Sequence, residues 1–239
     1  MNPGFSGKLA LVSGGTGGLG RAVSLAFLAE GAHVAVPYFH EQEFDDLKKA
    51  AQADAVRLEG QKVDVTDEAS VRTFVDSLIE KHGSIDILVN TVGGYAGGLK
   101  LWEMDPKIFE HMLQLNLRAG FVLSRTVVPT MLKSGHGAIV NVAAKAAVDH
   151  AAGASAYASS KAAAVALMDC LAADLKGTGV RVNSILPSII DTKPNREAMP
   201  DADFSKWPQP EELARVILFL CSDDAMVVHG AAIPVYGNS

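Results

Sequence analysis

Tyr157 and Lys161 stand four residues apart in the run SAYASSKAAAVAL, and a helical pattern puts both side chains on one face. A phenol with a reference pKa of about 10 is a poor acid or base at neutral pH, but a neighbouring ammonium favours the phenolate and lowers that value. Alone, such a pair is more often an exposed Tyr and Lys than a site. A second feature changes the balance. The segment SGGTGGLG, Ser13 to Gly20, joins the apolar run LALVSG to the helical pattern RAVSLAFLAEG. Without Cβ atoms the chain can turn tightly and let a pyrophosphate approach the backbone, while a helix N-terminus supplies free N–H groups and partial positive charge. Gly15, Gly17 and Gly20 satisfy GxGxxG; Gly14, Gly18 and Gly20, with Leu19 between the last two, satisfy GxxxGxG. An acid/base pair beside a phosphate loop reads as a dinucleotide-dependent catalytic site.

Other candidates lie where strands are expected to end. A dinucleotide-binding fold usually offers a carboxylate to the adenosine ribose at the end of the second strand, and here the sequence is VPYFHEQE. Tyr38 stands at that place, and His40, mostly neutral at pH 7, is no strong welcome for a 2′-phosphate. Glu41 and Glu43 read as the negative first turn of the next helix. Asp64, followed by Val65, sits where it can accept from an adenine amino group, while Thr66 or Asp67 is a natural helix N-cap. Asn90, in NTVGG with Gly93 and Gly94, is either a turn residue tying neighbouring loops together or a direct cofactor contact.

Elements that position these residues alternate along the chain. Strands are expected at LALVSG from Leu9, HVAVPY from His33, AVRLEGQKVDV from Ala55, IDILVN from Ile85, AIVNVA from Ala138, VRVNSIL from Val180 and AAIPVY from Ala231. Helical patterns cover roughly Gly20 to Glu30, Glu41 to Ala53, Glu68 to His82, Pro106 to Lys133, Ser155 to Lys176 and Glu211 to Ser222. Seven strands joined by crossovers predict one α/β domain, residues 1–239, with a doubly wound parallel sheet and helices on both faces. A polar, proline-rich excursion from Asp191 to Pro210 reads as a substrate lid.

Composition narrows the function. With 239 residues, 49% hydrophobic and 20% charged, the chain is globular; a net charge of −6 gives no footprint for nucleic acid or an anionic membrane. No stretch is apolar enough to span a bilayer and the start MNPGFSGKLA lacks a signal-peptide core, so a cytoplasmic protein is expected. Cys170 and Cys221 read as buried free thiols, in no metal-binding spacing.

The glycine loop, DVTD, NTVG, Asn116 in an LNL run, YxxxK and RVNSILP, in this order, resemble the short-chain dehydrogenase/reductase family over essentially the whole chain. That resemblance implies a Rossmann-like fold, an NAD(P)(H) cofactor, and Tyr157 as proton donor or acceptor. It makes Lys161 a holder of a nicotinamide ribose hydroxyl, and Asn116 the holder of a water linking that lysine to solvent. It also implies cofactor contacts at Pro187 and at Thr192. The family usually has a serine thirteen residues before the tyrosine, to polarise the substrate carbonyl; this chain has Ala144. Strings such as GGYAGG from Gly93 and IIDTKPNREAMPDADFSKW from Ile189 are similar to the dihydropteridine reductase branch, which implies substrate contacts at Gly94 and Tyr95.

The expectation is therefore an NAD(P)H-dependent reductase of a small conjugated or quinonoid substrate. The alternatives are an ordinary alcohol or 3-oxoacyl dehydrogenase/reductase, or a non-catalytic dinucleotide sensor. Tyr38 implies relaxed nucleotide choice with a lean to NADP(H). Met199, Phe204 and Trp207 are either substrate cover or ordinary loop packing. The apolar run Val165, Ala166, Leu167, Met168 and Leu171, and the helix from Pro106, imply a homodimer or homotetramer.

Overall fold

The computed structural model describes residues 4–238; Met1–Pro3, the start of the segment read for a leader, and the last residue lie outside them. Seven parallel strands form one sheet in the order β3-β2-β1-β4-β5-β6-β7. They are β1 Leu9–Ser13, β2 His33–Tyr38, β3 Leu58–Lys62, β4 Ile87–Asn90, β5 Gly137–Val142, β6 Val180–Pro187 and β7 Ala232–Val235. The helices are α1 Gly18–Ala29, α2 Glu41–Ala51, α3 Glu68–His82, α4 Pro106–Leu113, α5 Ala119–Ser134, α6 Ser155–Asp174, α7 Lys193–Ala198 and α8 Pro210–Cys221.

Alternation along the strands divides the core into two layers. Ala10 and Val12 of β1 face α1, α2 and α8, among Val23, Phe27, Leu47 and Ile217. Leu9 and Leu11 face α3, α5 and α6, among Val75, Leu78, Leu123 and Met168. The order in which strands are added reverses between β1 and β4, and all strand C-termini point to one edge, which is where open sheets of this kind bind ligands.

Three expectations need correction. Residues 55–57 are not strand: Gln52–Arg57 winds as a 3-10 turn, because the Arg57 guanidinium bonds Leu28 O at 2.7 Å and Asp54 at 2.6 Å, and β3 ends at Lys62, before Asp64. The helix expected over Pro106–Lys133 is interrupted by a π-turn, Gln114–Arg118, whose extra residue widens the spiral and lets Asn116 turn inward. Cys170 is exposed, since α6 buries Met168 and Ala172 and turns Cys170 outward; Cys221 is buried, and burial pushes its thiol up to about 12. Among the described residues, no helix is long and apolar enough to cross a membrane.

Candidate active site

The cradle begins where β1 ends. Gly14 adopts φ +71°, a region other residues rarely enter, and Gly17 N–H donates to Gly14 O at 3.0 Å to close the turn. A Cβ on Gly20 would lie 2.0 Å from Gly14 O, and one on Gly14 would lie 2.7 Å from Thr91 Oγ1. The first turn of α1 holds no carboxylate, and its N-cap, Gly17, makes no side-chain capping bond, so the helix N-terminus is open to an anion. These features fit a dinucleotide pyrophosphate. Leu19 turns its side chain into the core and offers only backbone. Gly18 is needed for a different reason: a Cβ there would stand 2.8 Å from Thr192 Cγ2, so the lid's first residues rest on the loop. Gly20→Ala should abolish dinucleotide binding in an NADH fluorescence titration, because the obstructing atom is backbone. Unchanged affinity would remove the cradle assignment.

The second half of the site is built on α6. Lys161 is 5% exposed, its Nζ donates to Val142 O at 3.0 Å, and burial lowers its pKa to about 8. Gly93 lets the loop after β4 close over it, since a Cβ there would lie 2.9 Å from Lys161 Nζ and 2.8 Å from Asn116 Oδ1. Asn116 accepts from Gly94 N–H at 3.0 Å and donates to Gly94 O at 3.1 Å and to Ser160 Oγ at 3.0 Å. Ser160 Oγ in turn donates to Tyr157 O at 2.7 Å. The π-turn thus ties the β4 loop to the helical turn carrying the tyrosine.

Tyr157 is half-buried, with the Tyr95 ring against its own at 5.0 Å and 73°. Burial and the Tyr95 hydroxyl push its phenol up to about 12. This departs from the expectation that Lys161 lowers it: burial and then Tyr95 both raise it, and the phenol is protonated at neutral pH, fit to donate. Ala144 is buried at the start of the turn Lys145–Ala147, which puts no hydroxyl at that position.

The remaining candidates are distributed unevenly. Tyr38 stacks on Phe44 at 4.9 Å and 15°, and His40 is exposed at the N-cap of α2. Asp64 is exposed and accepts from Thr66 N–H at 2.9 Å and Thr66 Oγ1 at 2.7 Å; Val65 is core, and Asp67 caps α3. Asn90 is a strut, accepting from Ser13 Oγ at 2.7 Å and donating to Asn141 Oδ1 at 2.9 Å, so its amide joins β1, β4 and β5. Pro187 ends β6 beside Val235, and Ser188 Oγ donates to Tyr236 O at 2.6 Å. In the lid, Phe204 packs on Trp207 at 5.0 Å with the Arg196 guanidinium over it at 4.7 Å, while Met199 is half-buried. These contacts join residues within the 191–210 segment itself.

The lid is fastened at its base. Asp191 takes Arg196 Nη2 at 2.6 Å and Gln209 Nε2 at 2.7 Å, and its N–H donates to Pro208 O at 3.0 Å. The Arg196 guanidinium holds the Asp191 carboxyl down to about 2. The contact survives wherever Asp191 is ionised and is lost as pH falls through that value.

A family model described as short chain dehydrogenase matches residues 8–203. The chain belongs to the short-chain dehydrogenase/reductase family. As a member it is an NAD(P)-dependent oxidoreductase, and the Rossmann-like sheet is the family's own. Among its relatives, the 3-oxoacyl-(acyl-carrier-protein) reductase FabG of Thermotoga maritima is 32% identical, covering 98% of both chains. D-threitol dehydrogenase of Mycolicibacterium smegmatis is 34% identical over 98% of this chain and 93% of its own. The crystal structure of NAD+-bound xylitol dehydrogenase superposes with a TM-score of 0.90 at 25% identity, over 98% of this short-chain dehydrogenase and 99% of that chain.

Two contacts, one on α6 and one at the glycine loop, escaped sequence reasoning. Ser160 left a faint signal, a hydroxyl three residues after Tyr157, where a helix brings side chain and carbonyl together. Glu43, whose carboxylate accepts from Thr16 Oγ1 at 2.9 Å, left none beyond its place in a helical first turn.

Proposed function

We propose that this short-chain dehydrogenase/reductase interconverts a carbonyl and an alcohol, as an ordinary alcohol or 3-oxoacyl dehydrogenase/reductase, with Tyr157 donating the proton in the reducing direction. The observation that carries this reading is Tyr157 one helical turn before a buried Lys161, on a helix tied through Asn116 to the loop after β4. When bound, the nicotinamide supplies or accepts the hydride. Tyr157 holds the proton for the substrate oxygen. Lys161 keeps one N–H on Val142 O and has further donors for a ribose hydroxyl, and its charge stabilises the phenolate that forms. Relatives named for 3-oxoacyl and polyol chemistry support this reading over a dihydropteridine-type one.

Ala144 favours a second reading of the acceptor. Loss of one donor aimed at a developing oxyanion typically costs about 2.7–4 kcal/mol. A conjugated or quinonoid acceptor, dihydropterin included, spreads that charge itself and needs fewer donors. One panel separates the readings: NADH and NADPH oxidation with 3-oxoacyl esters, simple ketones, quinones and a quinonoid dihydropterin. Faster turnover of ketones supports the first reading; preference for the quinonoids, with Ala144→Ser helping ketones more, supports the second. Dinucleotide binding without turnover of any acceptor would leave a sensor.

Self-association belongs to the same proposal. Phe109 of α4 and Phe121 of α5 are exposed large apolar side chains, α4 packs on α6, and pairing of these helices between copies would give a dimer or tetramer. Light scattering is expected to show multiples of 25.1 kDa; a single 25.1 kDa species at micromolar concentration would overturn it.

A further inference from the structure

We propose that Glu43, in the first turn of α2, selects the dinucleotide with a free 2′-hydroxyl against its 2′-phosphorylated counterpart. This rests on the NAD(P) dependence of the family and reverses the lean that Tyr38 implied. The carboxylate comes from α2 instead of from the end of β2. Two observations place it. Thr16, at the tip of the glycine loop, donates its hydroxyl to Glu43 Oε2 at 2.9 Å. That bond fixes the carboxylate between the glycine loop and the segment that follows β2, beside the crevice in which an adenosine ribose lies in this fold. Tyr38, the residue at the β2 end itself, is stacked on Phe44 and committed to packing.

The surroundings do not cancel the charge. Among the described residues, Thr16 is the hydrogen-bond partner of Glu43, and Glu41 adds a second acid to the same turn. Among the described residues no cation is ion-paired with Glu43; Arg21, on the helix that follows the loop, lies close enough to Asp46, one turn further along α2, to help lower its pKa. A carboxylate accepts from vicinal ribose hydroxyls but has nothing to donate to a phosphate, and a phosphate anion a few ångströms away is repelled. Since Glu43 is exposed, the repulsion is screened by salt.

The test uses the whole protein and binding alone: calorimetric titration with ADP-ribose and with 2′-phospho-ADP-ribose, in wild type and Glu43→Gln. Wild type is expected to bind ADP-ribose more tightly by about tenfold or more, and Glu43→Gln to shrink that ratio severalfold by gaining affinity for the phosphorylated ligand. The wild-type ratio should fall between low and high salt, and the variant's ratio should fall less. A wild-type preference for the 2′-phosphate, or an unchanged ratio in Glu43→Gln, overturns the proposal. Binding of neither ligand overturns the NAD(P) reading beneath it as well, and Gly20→Ala supplies the non-binding reference.

Discussion

Tyr157→Phe is expected to lower kcat by about 10² to 10⁴ while dinucleotide affinity stays nearly unchanged. The phenylalanine keeps the ring that packs against Tyr95 and removes only the oxygen that carries the proton. Because burial holds the phenol near 12, it is fully protonated at neutral pH and ready to give its proton to a substrate oxygen. What the variant would lack is therefore the acid itself, with no competing change in charge. Stopped-flow reduction at saturating dinucleotide reads the chemical step, and fluorescence titration reads affinity. Equal turnover in the two proteins would strip Tyr157 of its role.

Lys161→Met is expected to abolish turnover and yet raise stability by about 2 kcal/mol at pH 7. Depression of the lysine from 10.5 to about 8 means that the folded state penalises the ammonium, at about 1.36 kcal/mol for each pKa unit; losing the bond to Val142 O returns about 1 kcal/mol of this. The sign over pH follows from the depressed folded value. Below about pH 8 both states carry the charge and the penalty is complete. Between 8 and 10.5 the unfolded chain binds more protons, so wild-type stability rises towards that of the variant, and above 10.5 the penalty is gone. Urea denaturation at pH 7 and pH 9.5 checks both statements; a variant less stable than wild type at pH 7 would contradict the burial account.

Local features were legible in the sequence. The glycine loop is contiguous, its chemistry depends on the absence of Cβ atoms, and Tyr157 and Lys161 are one helical turn apart, so spacing alone brings them together. One doubly wound parallel sheet followed from the alternation of strands and helices along the chain. Contacts between distant segments were not legible. Thr16 meets Glu43 across 27 residues and Asn116 meets Ser160 across 44; the second pairing also depends on a π-turn that no hydrophobic period announces. Asn90 read either as a tie between neighbouring segments or as a cofactor contact, and only the folded chain shows its amide joined to Ser13 and Asn141. The strings that resembled the dihydropteridine reductase branch are short, around Gly93 and Ile189, whereas relatives that align along the whole chain carry other names.

The latch at Asp191 has an evolutionary consequence. A loop whose ends are fastened to each other, here through Gln209 and Pro208, keeps its attachment whatever lies between. Doubling the length of such a flexible segment costs only about 0.6 kcal/mol in closure entropy, so insertions between the fastened ends disturb the sheet little. The stretch from Thr192 to Trp207 is in effect an exchangeable cassette, whose length and side chains can change while the glycine loop and the helix bearing Tyr157 and Lys161 stay fixed.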